Sequence, residues 1–262
     1  MNTAPIGILD SGFGGLSIYR SIVELLPLES TVYVGDHAYI PYGQKSKKEI
    51  RGRTRKLIGF LLSKKAKLIV VACNTATIAG IEKYRVWFPD IPVIGVVPVV
   101  KTAAEQSKRH AFAVLSTSFT AGSVYQKKLI KKFAPDAKVY NLGCPNLLSF
   151  VERGVVGGSA IDTELRGLLT HAVIRSIDAV VLGCTHYPFL HDAIRAIVGK
   201  KVDILDSGGA VSRHVARILD HNRIAAVGRP THAFFSTVRS AKHSAVASAL
   251  LHKRIEVQYA RV

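Results

Sequence analysis

Short runs of apolar and β-branched residues alternate with amphipathic stretches along almost the whole chain, and this alternation restricts the fold more than any other feature. A chain that returns to an apolar strand after each helix builds βα units around a parallel sheet. The pattern fits neither an all-α nor an all-β protein. Strands are expected at Ile6 to Asp10, Thr31 to Gly35, Leu68 to Ala72, Val93 to Val97, Ala111 to Leu115, Val139 to Leu142, Ala179 to Leu182 and Val202 to Leu205. Helices are expected at Leu16 to Leu26, Lys47 to Ser63, Ser123 to Phe133, Thr163 to Ser176, Phe189 to Val198, Ala210 to Asp220 and Val238 to Leu251.

The alternation also repeats. The first half carries a strand running into a cysteine at Ile69-Val70-Val71-Ala72-Cys73-Asn74-Thr75, and the second carries Val180-Val181-Leu182-Gly183-Cys184-Thr185-His186. A second pair opens each half: Gly7 to Asp10 leads into Ser11-Gly12-Phe13-Gly14-Gly15, and Phe112 to Leu115 leads into Ser116-Thr117-Ser118-Phe119-Thr120-Ala121-Gly122. The two cysteines lie 111 residues apart and the two turn openings, Asp10 and Ser116, lie 106 apart. One duplicated unit with a small insertion accounts for both spacings. Ile204 to Gly208 repeats Ile8 to Gly12 letter for letter but lies outside this register, so it reads as coincidence or a shared strand-end turn. With 262 residues, 48% of them hydrophobic, the chain can fill two cores. The expected lobes are residues 1–97 with 207–262, carrying Cys73, and residues 98–206, carrying Cys184. Ligands in such folds sit at the carboxyl ends of the strands.

Three cysteines, Cys73, Cys144 and Cys184, form no even set and no CxxC spacing, so neither a disulfide framework nor a zinc site is expected. Cys73 and Cys184 each follow an apolar strand and precede Asn-Thr or Thr-His, residues that can begin a helix and present backbone N–H groups to a carboxylate. A thiol there is expected to lose its proton more readily than in water, because a helix start favours the thiolate. With an ordinary value of about 8.5, a cysteine can hold either protonation state near neutrality. Two matched thiols therefore suit a reaction that takes a proton from one face of a carbon and returns one to the other. The plain alternative is that both are small buried hydrophobes. Matched flanks favour the paired reading.

Asp10-Ser11-Gly12-Phe13-Gly14-Gly15, Gly35-Asp36, Pro41-Tyr42-Gly43, Ala72-Cys73-Asn74-Thr75-Ala76 and Gly183-Cys184-Thr185-His186-Tyr187-Pro188 together resemble the glutamate racemases of the aspartate/glutamate racemase family. The resemblance covers the order and spacing of nearly the whole chain. It implies two pseudo-symmetric α/β lobes, each a mostly parallel sheet flanked by helices, with the active site in the cleft between them. It further implies that Cys73 deprotonates D-glutamate and Cys184 deprotonates L-glutamate, with no pyridoxal phosphate, no other cofactor and no metal. Asp10 then assists Cys73, and His186 assists Cys184. Asp36 and Glu152 match two further acids near the site, although Glu152 lies in the helical stretch Leu147 to Arg153, where a solvated surface acid is an equal reading. Substrate contacts fall to Asp10, Ser11, Tyr42, Gly43, Asn74, Thr75, Thr185 and His186, and Thr117 and Thr120 line the same pocket. The family has a Gly before the second threonine where this chain has Phe119. Those threonines can equally cap the following helix. Aspartate racemases share the two cysteines but carry Glu at the position of His186 and lack the Pro-Tyr-Gly block. Cys144 matches no block and is assigned to structure.

A formal net charge of +18, from 36 Lys and Arg against 18 Asp and Glu, favours anionic partners. Lys45 to Lys67 and Lys127 to Lys132 hold the densest basic runs, most of which read as solvated helix faces, with steering of dianionic glutamate as the functional alternative. They lack the aromatic interleaving of a nucleic-acid surface, so nucleic acid is not the expected partner, and a basic nucleic-acid-binding protein is the rival from another class. The histidines outside the blocks, among them His171, His191 and His214, read as surface or packing residues. No apolar run is long enough to span a bilayer, and Met1 to Pro5 do not begin a basic, signal-like segment. A cytoplasmic protein with glutamate as substrate is expected, and the resemblance implies a homodimer serving peptidoglycan synthesis.

Overall fold

The computed structural model describes residues 3–226 and 229–262. Met1 and Asn2, the head of the N-terminal stretch read above, lie outside the described residues. The chain divides into two compact units, residues 1–96 with 208–262, and residues 97–207.

The first unit begins with β1 (Ile6–Asp10), α1 (Leu16–Leu25), β2 (Thr31–Gly35), α2 (Lys47–Ser63), β3 (Leu68–Val71), α3 (Asn74–Trp87) and β4 (Val93–Gly95). The second follows with α4 (Val100–Gln106), β5 (Ala111–Ser116), α5 (Ser118–Gly122), α6 (Val124–Phe133), β6 (Lys138–Gly143), α7 (Leu147–Glu152), α8 (Ser159–Leu168), α9 (His171–Ser176), β7 (Ala179–Leu182), α10 (His191–Val198) and β8 (Asp203–Leu205). The chain then completes the first unit with α11 (Gly208–His221), β9 (His232–Ser236), α12 (Ala241–Leu251) and β10 (Val257–Tyr259).

Every strand pair is parallel. The first sheet runs β10-β9-β2-β1-β3-β4 and the second β6-β5-β7-β8. The order β2-β1-β3-β4 in one unit is the order β6-β5-β7-β8 in the other, so the duplication read from the cysteine flanks is also a duplication of topology. β1, β3, β5 and β7 are buried at every position. Parallel strands covered by helices on both faces need continuous apolar runs rather than alternation, which is what Leu68-Ile69-Val70-Val71 and Ala179-Val180-Val181-Leu182 supply.

The helices follow from equally local causes. Ser46 starts α2 with a capping box: its hydroxyl accepts from Glu49 N, and Glu49 accepts from Ser46 N at 2.9 Å. The inward face of α2 is Ile50, Arg53, Thr54, Leu57, Ile58 and Leu61, spaced by three and four residues. Each fully buried aliphatic side chain on that face is worth about 1.5–3 kcal/mol. In the second unit, α4 and α6 bring Val100, Ala103, Leu129, Ile130 and Phe133 onto Phe112, Val114, Ala179 and Val181 of the sheet.

Several elements depart from the periodicity. The stretch Thr163 to Ser176 is two helices, α8 and α9, because Thr170 caps a new start by accepting from Val173 N. The segment from Phe189 opens as a 3-10 turn, Tyr187–Leu190, before α10, with Pro188 in its first turn. β9 and β10 are additional strands. Each pairs in parallel with a neighbour distant in sequence or across a helix, and His232 and Tyr259 dilute their apolar character. No helix among the described residues is long and apolar enough to cross a membrane.

Candidate active site

Cys73 stands two residues past the end of β3 and is the N-cap of α3, with extended backbone. Its sulfur accepts from Ala76 N at 3.4 Å and lies 3.7 Å from Ser11 Oγ. A backbone donor at a helix start favours negative charge on the sulfur. Ser11 belongs to the turn after β1, beside Asp10, which is fully buried and accepts from Gly12 N at 2.9 Å. Gly15 closes this turn because any Cβ there would sit 2.7 Å from Asp10 Cβ.

Asn74, the first residue of α3, is buried, and neither its amide oxygen nor its amide nitrogen has a protein partner. A buried amide left open on both sides costs free energy unless something else satisfies it. The group is thus an available donor and acceptor next to Cys73.

Asp36 lies behind the same region, one residue past β2. Arg53 binds it in bidentate fashion, Nε to Oδ2 at 3.0 Å and Nη2 to Oδ1 at 2.7 Å. Tyr42 Oη donates to Oδ2 at 2.7 Å and Thr237 Oγ1 to Oδ1 at 2.9 Å. Burial, followed by the Asp36 charge and hydrogen bond, holds the Tyr42 phenol well above its ordinary value, with the nearby Cys73 adding to the effect. Tyr42 is accordingly a neutral donor. Arg53 is an exception within a basic run expected to be mostly solvated: it occupies the apolar stripe of α2 and is buried. That stripe position was the one local sign of its role. Two others from the same run are also engaged, since Arg51 donates to Ala79 O at 2.6 Å and the buried Lys67 pairs with Glu29 at 2.7 Å. Lys47, Lys48, Arg55 and Lys56 are exposed, as expected.

Cys184 occupies the equivalent place after β7. Gly183 before it is tightly enclosed: a Cβ would meet Leu115 O at 3.0 Å and Ser116 Cβ at 3.1 Å. The sulfur lies 3.6 Å from His186 Nδ1, and His186 Nε2 lies 2.6 Å from Glu152 Oε1. Burial, the largest influence on this imidazole, opposes its protonation. The hydrogen bonds and charges of Cys184 and Glu152 outweigh burial, and the group is held well above the ordinary histidine range. Glu152 is thus the partner of a buried histidine rather than a solvated acid. Thr185 is buried in the same turn.

Thr117 caps α5, accepting from Thr120 N at 3.2 Å, and its hydroxyl donates to Thr120 Oγ1 at 3.1 Å. Thr120 is fully buried and Phe119 half-buried. Cys144 is buried, and burial pushes its thiol up to about 12. Tyr187 Oη donates to Cys144 O at 3.3 Å. No group of three or more metal-ligating side chains occurs among the described residues.

In the first unit the structure therefore brings together Asp10, Ser11, Cys73 and Asn74, backed by Asp36 and Tyr42. In the second it brings together Cys184, His186 and Glu152, and separately pairs Thr117 with Thr120. Each cluster sets a buried thiol beside a side chain that can give or take a proton, Ser11 in the first and His186 in the second.

Known proteins resemble this chain over most of its length. Residues 6–215 match the family profile described as Asp/Glu/Hydantoin racemase. The glutamate racemase of Pseudomonas putida is 40% identical over 259 residues, 98% of this chain and 97% of that one. Among solved structures, a glutamate racemase isoform from Bacillus anthracis superposes with a TM-score of 0.91 at 32% identity, covering 100% of this chain and 99% of that chain. The Francisella tularensis glutamate racemase, solved with D-glutamate, gives a TM-score of 0.86 at 29% identity, covering 100% and 98%. The profile match over most of the chain, together with close relatives over nearly its full length, makes this chain a member of the Asp/Glu/hydantoin racemase family.

Proposed function

We infer that this chain is an amino-acid racemase that interconverts L- and D-glutamate by a two-base route, with Cys73 and Cys184 as the bases, and that it supplies D-glutamate for peptidoglycan. The observation that carries the reading is the pair of thiols at equivalent strand ends, each with its own polar support, in a chain whose near full-length relatives are glutamate racemases. The thiolate of one cysteine takes the α-proton and becomes a thiol. The electron pair stays on the α-carbon, conjugated with the carboxylate. The other cysteine gives its thiol proton to the opposite face and becomes the thiolate, so no net proton is consumed. Both roles exchange when the reaction runs backwards.

Cys73 abstracts from D-glutamate, with Asp10 assisting its proton exchange; Cys184 abstracts from L-glutamate, assisted by His186 with Glu152 behind it. Ser11, Tyr42, Gly43, Asn74, Thr75, Thr117, Thr120, Thr185 and His186 hold the carboxylates and the amine. Short hydroxyl and amide groups with helix-start N–H groups suit that task, because they bind carboxylates without adding fixed charge beside the thiols. Asp36 is held by Arg53 and orients Tyr42. His186 in place of a glutamate favours glutamate over aspartate as substrate. A homodimer is the assembly expected for the family.

The test follows α-hydrogen exchange with deuterated water, in the absence of added cofactor, for Cys73→Ser and Cys184→Ser. Each variant should lose racemisation. The first should lose exchange chiefly from D-glutamate and the second chiefly from L-glutamate. Full racemisation by either variant removes that cysteine from the mechanism, and comparison with aspartate separates the two substrates.

A further inference from the structure

The last turn of α1 and the outward side of α11 enclose an open groove of about 690 Å³, lined by Leu25, Leu26, Ala210, Arg213, Ala216 and Arg217. The sequence accounts for its two kinds of wall. α11 buries Val211, Val215 and Leu219, which leaves the 210, 213 and 217 positions on another face of the helix. α1 ends in Leu25 and Leu26, and Leu25 remains 47% exposed. An exposed leucine in a concave wall lined also by two alanines is an apolar surface that the described residues leave uncovered.

The cationic part is as unusual as the apolar part. Arg213 and Arg217 stand one helical turn apart, where like charges repel. Neither forms an ion pair among the described residues, and the one side-chain hydrogen bond of Arg217 is to His214 Nδ1, at 3.3 Å. Burial first, and then the charges of Arg217 and Arg85, depress protonation of His214, so this edge of the groove carries a positive field. None of the six lining residues is acidic.

We infer that this groove is a binding site for a small amphipathic organic anion, its apolar body against Leu25 and Leu26 and its anionic head on Arg213 and Arg217. Two guanidiniums four residues apart present forked donors to one carboxylate, sulfonate or phosphate group. The volume lies in the range of small-molecule sites. A second copy is a poorer occupant of this wall, because a two-fold contact here would set Arg213 and Arg217 against the same two cations of the other copy. None of its lining residues belongs to the Cys73 or Cys184 cluster.

Fluorescence titration with anilinonaphthalene sulfonate tests the proposal, with neutral N-phenylnaphthylamine and inorganic phosphate as separate arms. The sulfonate should saturate one site per chain. The neutral dye and phosphate alone should each bind at least about tenfold more weakly, because each lacks one half of the recognition. Arg213→Gln/Arg217→Gln and, independently, Leu25→Asn should each weaken the sulfonate at least about tenfold, with racemase activity and circular dichroism unchanged. A Lys127→Gln/Lys131→Gln control on α6 should bind as the parent does. Unchanged affinity in the arginine variant, or an equal loss in the α6 control, would overturn the proposal as general attraction of anions to a basic protein. Conversion of a dimer to a monomer by Leu25→Asn would overturn it in favour of an interface between copies.

Discussion

Glu152 Oε1 lies 2.6 Å from His186 Nε2, although the two residues are 34 apart in sequence and stand on different elements. The contact turns the Cys184–His186 pair into a line of three groups ending on a carboxylate. Carboxylate support of this kind orients an imidazole and stabilises its charged form.

If His186 serves proton exchange at Cys184, then Glu152→Gln should slow abstraction from L-glutamate more than from D-glutamate. A loss of about 10–100-fold in the L-glutamate exchange rate is expected, the scale of a general acid–base contribution. Exchange of α-deuterium measured separately for each enantiomer checks this. Equal losses from both would show that Glu152 is merely structural.

The same contact predicts a pH-dependent stability difference. His186 is raised in the folded state, so it contributes stability that is fully present below the unfolded value of about 6.5 and is lost as pH rises through the folded value. Glu152→Gln removes one of the two groups that raise it. Urea unfolding of parent and variant should therefore diverge most at the acid end of this window and converge toward alkaline pH. A gap that widens with pH contradicts the assignment.

Asn74 carries two unsatisfied buried polar atoms, so its removal breaks no internal hydrogen bond. Asn74→Ala should leave unfolding free energy within about 0.5 kcal/mol of the parent, or raise it, while KM for glutamate increases by about tenfold or more. Chemical denaturation and steady-state kinetics on one preparation decide the matter. Lost stability with unchanged KM would assign the amide to the scaffold.

Arg53 and Asp36 form a buried ion pair, and deleting one partner strands the other. Arg53→Met should cost about 3–5 kcal/mol and lower Tm by about 10 °C. Adding Asp36→Asn to that variant removes the stranded charge and should restore part of the loss. Calorimetry of the single and double variants measures the coupling, and strict additivity would refute it.

What was readable from the chain follows from the range over which each signal acts. Continuous apolar runs identified β1, β3, β5 and β7 because a strand covered on both faces must be apolar at consecutive positions. The helix expected over Lys47 to Ser63 is α2, and its capping box at Ser46 and stripe Ile50-Leu57-Leu61 act within one or two helical turns. The two cysteines were legible because each lies within two residues of the end of an apolar strand. β9 was not: His232 and Ser236 bracket it, and it is a strand because β2 offers an unpaired edge about 200 residues earlier. Nor did the sequence separate Thr163 to Ser176 into two helices, since the apolar period continues across Thr170.

The alternating βα plan, the duplication and the position of both thiols are written in contacts between near neighbours. Which charged groups those thiols and acids meet is set by packing between distant segments. Arg53 lies inside rather than in water because Asp36 is there to receive it, and Glu152, for which site acid and surface acid were equal readings, meets His186 because α7 carries it there. The physical reason is desolvation: a buried charge is tolerable only with its partner in place, and the partner is chosen by packing between segments that no local pattern connects.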